Sequence, residues 1–386
     1  MAGRVRSGPP GARVLAPRAL NRALLARQLL LERHTTNETT VLEQLVGLHA
    51  QIPSGPYVAL WSRLADYTPA RLSAMVADGR AVRTALMRST VHLVTPADCA
   101  ALRPVVQPVL DRDLYTNSTH GRAVRGLDTT QVVAAGLALL AEQPRTPAEL
   151  GRLLQQRWPD RRPDSLAYTV RNLATLVQAP PRGIWGQAGR TRHTPATGTA
   201  AGRSPRPAPV LLRYFRAFGP ASILDAQAWS GLTRLAEVVD TLRPRLRTYA
   251  DVDGRELFDV ADGALPDPDA EVPPRLLPEF DNVFLSHADR SRIIPGGMSF
   301  AAFSRAHGIS RTTRGGLLRG NVLLDGMLQG VWRIVEHDRT HLVDIELPAA
   351  PSATGAAGLE HEGRGLLGML DPDGHHEHTV RITIRS

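Results

Sequence analysis

Lysine is absent from this 386-residue chain, and Cys99 is its single cysteine. Arginine is not deprotonated near neutral pH, so only the N-terminal amine could form a Schiff base with a substrate. One cysteine excludes an intrachain disulfide, a cysteine-ligated iron–sulfur cluster and a cysteine zinc finger. No run of roughly 18 apolar residues occurs, so the sequence predicts no membrane span.

The positive charge is unevenly distributed along the chain. The net charge is +9, yet residues 1–33 and 290–324 each carry a net charge of +6, and residues 180–216 carry +7. The rest of the chain is therefore acidic. Such segregation predicts a basic face that binds phosphates, although a solvated charge run is the alternative. Because the first residues also lack the apolar stretch of a signal peptide, we expect a cytoplasmic, nucleoid-associated protein.

Periodicity and breaker residues predict a series of short helices and hairpins. Apolar spacing favours helices over Thr40–Leu48, Pro69–Ala77 and Ser165–Gln178. Extended patterns favour hairpins over Val82–Val94 and Arg247–Val260, the second with Asp253-Gly254 at its tip. Three short helices followed by a ribbon or hairpin is the winged-helix order.

This order recurs loosely and predicts an α+β protein of tandem units. We expect a disordered basic leader over residues 1–19 and a first winged-helix-like domain over 20–126. A second winged-helix domain with a basic wing follows at 127–208, and a third at 209–264. Residues 265–386 are predicted to form a proline-rich linker and a small β-rich domain.

Several stretches resemble the AlkZ/YcaQ-like winged-helix family of DNA glycosylases. They are Leu86–Leu93, Leu276–Asn282, Leu285–Arg290, Leu324–Gly326 and Gly330–Arg333. The resemblance runs from about residue 20 to residue 350. It implies tandem winged helices closed by a C-terminal β-barrel, together forming a C-shaped cradle for duplex DNA.

The resemblance also implies a catalytic motif, His49-Ala50-Gln51. It matches the family's His-apolar-Gln variant and departs from the family's Gln-apolar-Gln pattern. The variant is associated with single-strand adducts of bulky alkylating natural products. The resemblance therefore implies a glycosylase that hydrolyses the N-glycosidic bond of bulky N7-alkylguanine and gives self-resistance to a genotoxic natural product.

The residues themselves are compatible with this chemistry. Residues two apart share a side only in extended backbone, and the proline after Ile52 pushes that residue out of the helical region. Leaving the helix at His49 would let His49 and Gln51 face one ligand. An N7-alkylated guanine is already a good leaving group, so the enzyme needs mainly a placed water and polar atoms beside the developing cation. Gln51 can hold that water, and neutral His49, with an ordinary pKa near 6.5, can accept its proton.

The candidates for phosphate contact are arginines in the two later basic stretches. Arg190 and Arg192 lie on the predicted second wing, and Arg311, Arg314 and Arg319 surround a Thr/Gly segment where backbone can approach DNA. A solvated loop is the alternative for the last three.

Other polar groups are assigned structural roles. His375, His376 and His378 could suggest a metal site, but a solvated turn beside Asp373-Gly374 is favoured, so no metal and no cofactor are predicted. His92, on a predicted strand, is expected to be structural, although it could also approach the active site.

A second group consists of three acidic residues, Glu279, Asp281 and Asp289. They could supply paired carboxylates, as in sugar-cleaving enzymes, or form an ion-pair network with nearby arginines.

Two functions from different classes fit the predicted fold. A monofunctional glycosylase should act as a monomer on double-stranded DNA carrying alkylated guanine. Since the chain has no lysine, it should not cleave the strand through a lysine imine. The alternative is a non-enzymatic winged-helix transcriptional regulator, which should dimerise and prefer one operator sequence strongly over random DNA.

Overall fold

The computed structural model describes residues 11–197, 205–306, 318–337 and 340–385. Two of the arginines predicted to contact phosphate, Arg311 and Arg314, lie outside these ranges. Helices and strands both contribute substantially, so the mixed α+β class is confirmed. Within the described ranges, no helix combines the length and apolarity needed to cross a bilayer.

The α-helices of the described ranges are α1 (Pro17–Arg27), α2 (Glu38–Gln44), α3 (Gly55–Trp61), α4 (Pro69–Ala77), α5 (Pro96–Thr116), α6 (His120–Ala123), α7 (Thr129–Glu142), α8 (Pro147–Gln155), α9 (Pro163–Leu173), α10 (Pro207–Phe218), α11 (Ile223–Ser230), α12 (Ala236–Leu242), α13 (Phe300–Ala306) and α14 (Ala353–Leu370). Several begin with a proline in the first turn, where the missing N–H removes no helical hydrogen bond. Thr146 and Ser222 each form a capping box at the start of a helix. These local signals explain why many helix starts could be predicted.

The strands are β1 (Val14–Leu15), β2 (Leu48–His49), β3 (Val82–Ala85), β4 (Val91–Val94), β5 (Leu176–Gln178), β6 (His193–Pro195), β7 (Leu246–Asp251), β8 (Glu256–Val260), β9 (Arg275–Pro278), β10 (Arg319–Leu324), β11 (Met327–His337), β12 (Thr340–Leu347) and β13 (Glu377–Ile384). They form three sheets. The small sheet has the order β1-β7-β8, the central sheet β2-β4-β3-β5-β6, and the C-terminal sheet β13-β12-β11-β10-β9.

Helix α2 ends four residues before the predicted end of the helix over Thr40–Leu48. After Gln44 the chain turns through left-handed backbone at Val46 and Gly47, whose φ angles are +56° and +86°. A side chain at Gly47 would bring its Cβ within 2.5 Å of a Val94 methyl, so glycine is required there on two counts. This turn redirects the chain from helix α2 into strand β2.

The predicted helix Ser165–Gln178 also ends earlier in the structure than the sequence predicts. Helix α9 ends at Leu173, and the last three residues of the predicted range form β5, where Val177 lies opposite Thr84 of β3 and Thr194 of β6. Tertiary strand pairing of a β-branched residue outweighs its local helical pattern here. The central sheet consequently joins segments that the sequence assigns to the first and second domains.

The predicted disordered leader is wrong for its described part. Val14 and Leu15 form β1, which pairs in parallel with β7 through Val14 and Ala250, and α1 already begins at Pro17. Leu15 is almost fully buried against Tyr249 and its neighbours. The burial of Leu15 and the pairing of β1 with β7 order this segment, although its composition predicts a solvated leader.

The C-terminal sheet is not the closed barrel that the resemblance implies. In the residues the structure describes, β13 and β9 form its two edges and no strand pair joins them. Strands β12 and β13 are parallel, and α14 is the crossover between them. A parallel connection needs such a crossover, which covers one face of the sheet with a helix. The result is a helix packed on an open sheet.

Buried ion pairs connect the N-terminal helices to later parts of the chain. Arg63, just after α3, makes a two-pronged contact with Asp281, with N–O distances of 2.8 and 2.9 Å and both side chains fully buried. Arg27 of α1 makes the same kind of contact with Asp259 of β8. Since removal of one partner would leave a buried charge, these pairs fix the relative placement of the elements that position β2.

Candidate active site

Strand β2 lies at the edge of the central sheet and carries His49. It pairs with β4 in antiparallel register, with Leu48 opposite Leu93 and His49 opposite His92. The Ala50 N–H continues the ladder by donating to the Val91 carbonyl at 2.8 Å. The first residue of the motif therefore lies in a β-strand, and Gln51 lies in the bend that follows it.

Burial alternates along the three residues of the motif. Ala50 is completely buried, whereas His49 is half-buried and Gln51 is exposed. Alternation of this kind is what extended backbone produces, with the first and third side chains on one side. Both polar residues of the motif are accessible to solvent, whereas Ala50 between them is not.

Asn282 holds the backbone of this strand in place. Its Oδ1 accepts from the His49 N–H at 3.2 Å, and its Nδ2 donates to the Gly47 carbonyl at 2.8 Å. Both polar ends of one side chain are therefore used to fix the turn and the strand that follows. Sequence reasoning did not assign Asn282 a role, although it lies in the family-like stretch Leu276–Asn282.

The ring of His49 lies among two other rings. Its centroid is 5.5 Å from His92, in an edge-to-face arrangement, and 5.3 Å from Phe280. Burial, followed by the positive charge of Arg88, lowers the pKa of His49 to about 3. His49 is therefore a neutral imidazole at physiological pH and has one nitrogen able to accept a proton.

The side chain of Gln51 is partly committed to the sheet. Its Oε1 accepts from the Val91 N–H at 3.3 Å, and the carbonyl of the preceding Ala50 accepts from Arg83 Nη2 at 2.8 Å. The contact with Val91 fixes the amide plane of Gln51. It also leaves the Nε2 hydrogens as the groups that can hold a water or a ligand oxygen.

His92 is buried in the sheet beside His49, as the cross-strand partner of that residue. Its Nδ1 lies 3.0 Å from the Thr90 carbonyl, and a carbonyl can only accept, so Nδ1 carries the proton. Burial, with smaller contributions from His49 and Arg88, lowers the pKa of His92 well below its ordinary value. The two rings therefore form a neutral pair.

Two of the three acidic residues considered for catalysis form ion pairs with arginines. Asp281 is paired with Arg63, and Asp289 lies 3.2 Å from Arg255. Of the two alternatives, the ion-pair network therefore describes Asp281 and Asp289. Their partners, however, are arginines distant in sequence and not the nearby ones that were expected. Glu279 is buried, at 4% exposure.

The predicted phosphate-contact residues occupy different settings. Arg190 and Arg192 are exposed on the connection between β5 and β6, where Arg192 lies 3.9 Å from Glu149. Arg319 begins β10 and is half-buried. The structure also reveals basic side chains near the motif that sequence reasoning missed, Arg83 and Arg88; the latter lies within the family-like stretch Leu86–Leu93.

His375 is exposed in the turn before β13, as a solvated turn predicts, whereas His376 and His378 are half-buried. The backbone N–H groups of His375 and His376 donate to the carboxylate of Asp371 at 3.0 and 2.8 Å, and His378 Nε2 lies 3.2 Å from the same group. Asp371 is only 7% exposed. His378 belongs to strand β13, and the buried carboxylate of Asp371 organises the turn that precedes this strand.

Comparisons with known proteins agree with the resemblance. A model of the family described as "DNA glycosylase AlkZ-like" matches residues 42–369. An interstrand DNA cross-link repair glycosylase from Streptomyces sahachiroi is 25% identical over 342 residues, which are 81% of this chain and 86% of that protein.

Similarity of fold extends over the whole length of a solved relative. The structure of DNA glycosylase AlkZ from Streptomyces sahachiroi matches with a TM-score of 0.72 and 21% identity, over 96% of this chain and all of that one. The family match covers most of the chain, including the His49 strand and the Asn282 segment that holds it. The chain therefore belongs to the AlkZ-like DNA glycosylase family, whose members hydrolyse N-glycosyl bonds in DNA.

Proposed function

We propose that this enzyme is a monofunctional glycosylase that removes bulky N7-alkylguanine adducts from double-stranded DNA, with His49 and Gln51 as its catalytic residues. The observation that supports the proposal is the alternation of burial along His49-Ala50-Gln51. Two polar residues, a half-buried neutral histidine and an exposed glutamine, flank Ala50, which is fully buried.

The reaction needs only a positioned water. Gln51 would donate from Nε2 to the water oxygen, since its Oε1 already accepts from Val91. The water oxygen attacks C1′ of the sugar as the C1′–N9 bond breaks. The bonding electrons leave with the base and neutralise its positive charge. The water proton passes to the free nitrogen of His49, which the low pKa keeps deprotonated.

Binding of undamaged DNA would come from the exposed basic residues. We interpret the helical units and their hairpins as winged helices that follow the duplex, with Arg190 and Arg192 of the β5–β6 connection near the phosphates. Arg311, Arg314 and Arg319 would add contacts from the other basic stretch. Such contacts bind all sequences about equally, as a search for rare damage requires.

The choice of substrate follows from two sources. The curated relative is named for repair of interstrand cross-links, whereas the histidine at position 49 matches the family variant associated with single-strand adducts. We propose single-strand adducts of a genotoxic natural product as the substrate. Self-resistance to that compound would be the role of the enzyme, acting as a monomer in the cytoplasm on nucleoid DNA.

The test is formation of abasic sites on duplexes that carry a panel of N7-guanine adducts, with cross-linked duplexes as a separate arm. In single-turnover reactions, we expect Gln51→Ala to lower the rate by a factor on the order of 10² or more, the scale of losing a positioned catalytic group. His49→Ala should slow the same step. His49→Gln should retain part of the activity, because it restores the family's other signature.

Controls separate chemistry from binding and folding. DNA affinity should barely change in Gln51→Ala, since a neutral side chain contributes nothing to phosphate neutralisation. A folded double variant, His49→Ala with Gln51→Ala, that still excises an adduct at the wild-type rate would overturn the assignment. Absence of excision together with strong preference for one DNA sequence would favour the transcriptional regulator instead.

A further inference from the structure

A second group of polar side chains lies at one end of the C-terminal sheet and shares no residue with the His49 site. His341 of β12 and His378 of β13 are register partners in the parallel pair. Paired residues on neighbouring strands place their side chains on the same face of a sheet. Asp371 follows directly after α14, and His376 lies in the short connection to β13.

Three of these side chains lie close together, and His378 is linked to them through Asp371. His376 Nδ1 and His378 Nε2 lie 3.3 and 3.2 Å from Asp371 Oδ2. The ring of His341 stacks on that of His376, with centroids 3.8 Å apart. His341, Asp371 and His376 each offer a ligand atom, and these atoms all lie within 4.8 Å of one another.

Hydrogen bonding alone leaves part of this cluster unexplained. The Nδ1 atom of His341 is buried and has no hydrogen-bond partner among the residues that the structure describes. A buried polar atom without a partner is costly, commonly by about 1–3 kcal/mol. The ring that carries this nitrogen also brings a ligand atom to within 4.8 Å of those of Asp371 and His376, an environment that a cation would satisfy.

We propose that His341, Asp371, His376 and His378 form a binding site for a divalent transition-metal ion of the zinc class. Imidazole and carboxylate are ligands that Zn²⁺ accepts at about 2.0–2.2 Å, which places neighbouring ligand atoms of a tetrahedral site about 3.4 Å apart. The rings need to close on the ion by roughly an ångström, which small side-chain rotations provide.

The site would be structural. Four protein ligands complete a tetrahedral shell and leave no open position for a water or substrate. Its ligands come from β12, from the residue after α14, from the following turn and from β13, so the ion would fasten the crossover helix to the sheet edge. Zinc should therefore stabilise the fold of the C-terminal sheet.

The experiment uses the full-length protein, freed of any affinity tag and stripped of metal with a chelator. Titration with Zn²⁺, and with Co²⁺ as a spectroscopic probe, should show one ion per chain. We expect a tetrahedral Co²⁺ absorption band and a higher thermal midpoint with Zn²⁺. His378→Gln should weaken binding by at least about tenfold, since even indirect ligand partners contribute that much.

The matched control is His361→Gln, which removes an exposed histidine from α14 outside the cluster. It should bind Zn²⁺ like the wild type. A His376→Gln, His378→Gln variant that is folded by circular dichroism and binds Zn²⁺ with unchanged affinity would overturn the proposal. So would a wild-type protein that takes up no stoichiometric metal. If the double variant does not fold, the single His378→Gln variant, which alters one half-buried ring, decides the question.

Discussion

The neutral state of His49 makes a specific prediction about pH. An ordinary histidine, with a pKa near 6.5, would lose its ability to accept a proton as the pH falls through that value. Burial and the charge of Arg88 lower the pKa of His49 to about 3. We therefore expect the single-turnover excision rate to stay nearly constant from pH 8 down to pH 5.

The size of the difference is large enough to measure. With a pKa of about 3, only about 1% of His49 is protonated at pH 5 and the rate is unchanged. With a pKa of 6.5, about 97% would be protonated and the rate would fall roughly 30-fold. The sequence alone predicts the second behaviour, and the structure replaces it with the first.

The assay is abasic-site formation with enzyme in excess over an N7-alkylguanine duplex, quenched and developed with alkali. Parallel reactions at two salt concentrations separate titration of His49 from any change in DNA binding with pH. His49→Gln, which cannot titrate, should give a profile of the same shape at a lower rate. A wild-type acid limb with a midpoint between pH 6 and 7 that disappears in His49→Gln would refute the reasoning.

Three further predictions follow from other features. Because the chain has no lysine, borohydride should trap no substantial protein–DNA adduct during turnover, and the abasic strand should stay intact until alkali is added; efficient trapping would point to the N-terminal amine. Replacing Arg190 and Arg192 by alanine should weaken DNA binding equally across sequences and should reduce the slope of log affinity against log salt concentration by roughly one unit per lost phosphate contact. The control variant Arg80→Ala should have neither effect, because Arg80 is paired with Asp78. Burial lowers the pKa values of His92 and His287 below 6.5, so the unfolded chain binds more protons than the folded chain and the stability present above pH 6.5 declines as the pH falls; equal thermal midpoints at pH 7.5 and 5 would contradict this.

Local sequence signals predicted much of the secondary structure. The bounds of α4, Pro69–Ala77, and the hairpin within Val82–Val94 are confirmed because caps, breakers and alternation act over a few residues. Helix α14 was missed because it contains five glycines, which local propensity disfavours. It forms because the sheet supplies packing: Gly363, for example, leaves room for Val380 of β13.

In the candidate site, too, features set by local sequence could be predicted, whereas features set by tertiary contacts could not. The sequence indicated that His49 and Gln51 share one side, since proline ends any helix nearby, and their catalytic roles remain predictions. It could not indicate Asn282, which contacts His49 from 233 positions away in the chain. Nor could it indicate the low pKa, because the burial of the His49 ring depends on the folded placement of Phe280 and Arg88.

The central sheet fixes a distance as well as a shape. Strand β2 carries the proposed reacting side chains, and Arg192 immediately precedes β6, four strand positions away in the same hydrogen-bonded sheet. Strands lie about 4.8 Å apart, so the two ends are separated by roughly 19 Å, a span of five or six base pairs at about 3.4 Å each. The sheet would therefore keep a constant distance between the reacting base at His49 and the phosphate contacted by Arg192. A damaged base closer than this to a duplex end would be excised without phosphate contacts from Arg192.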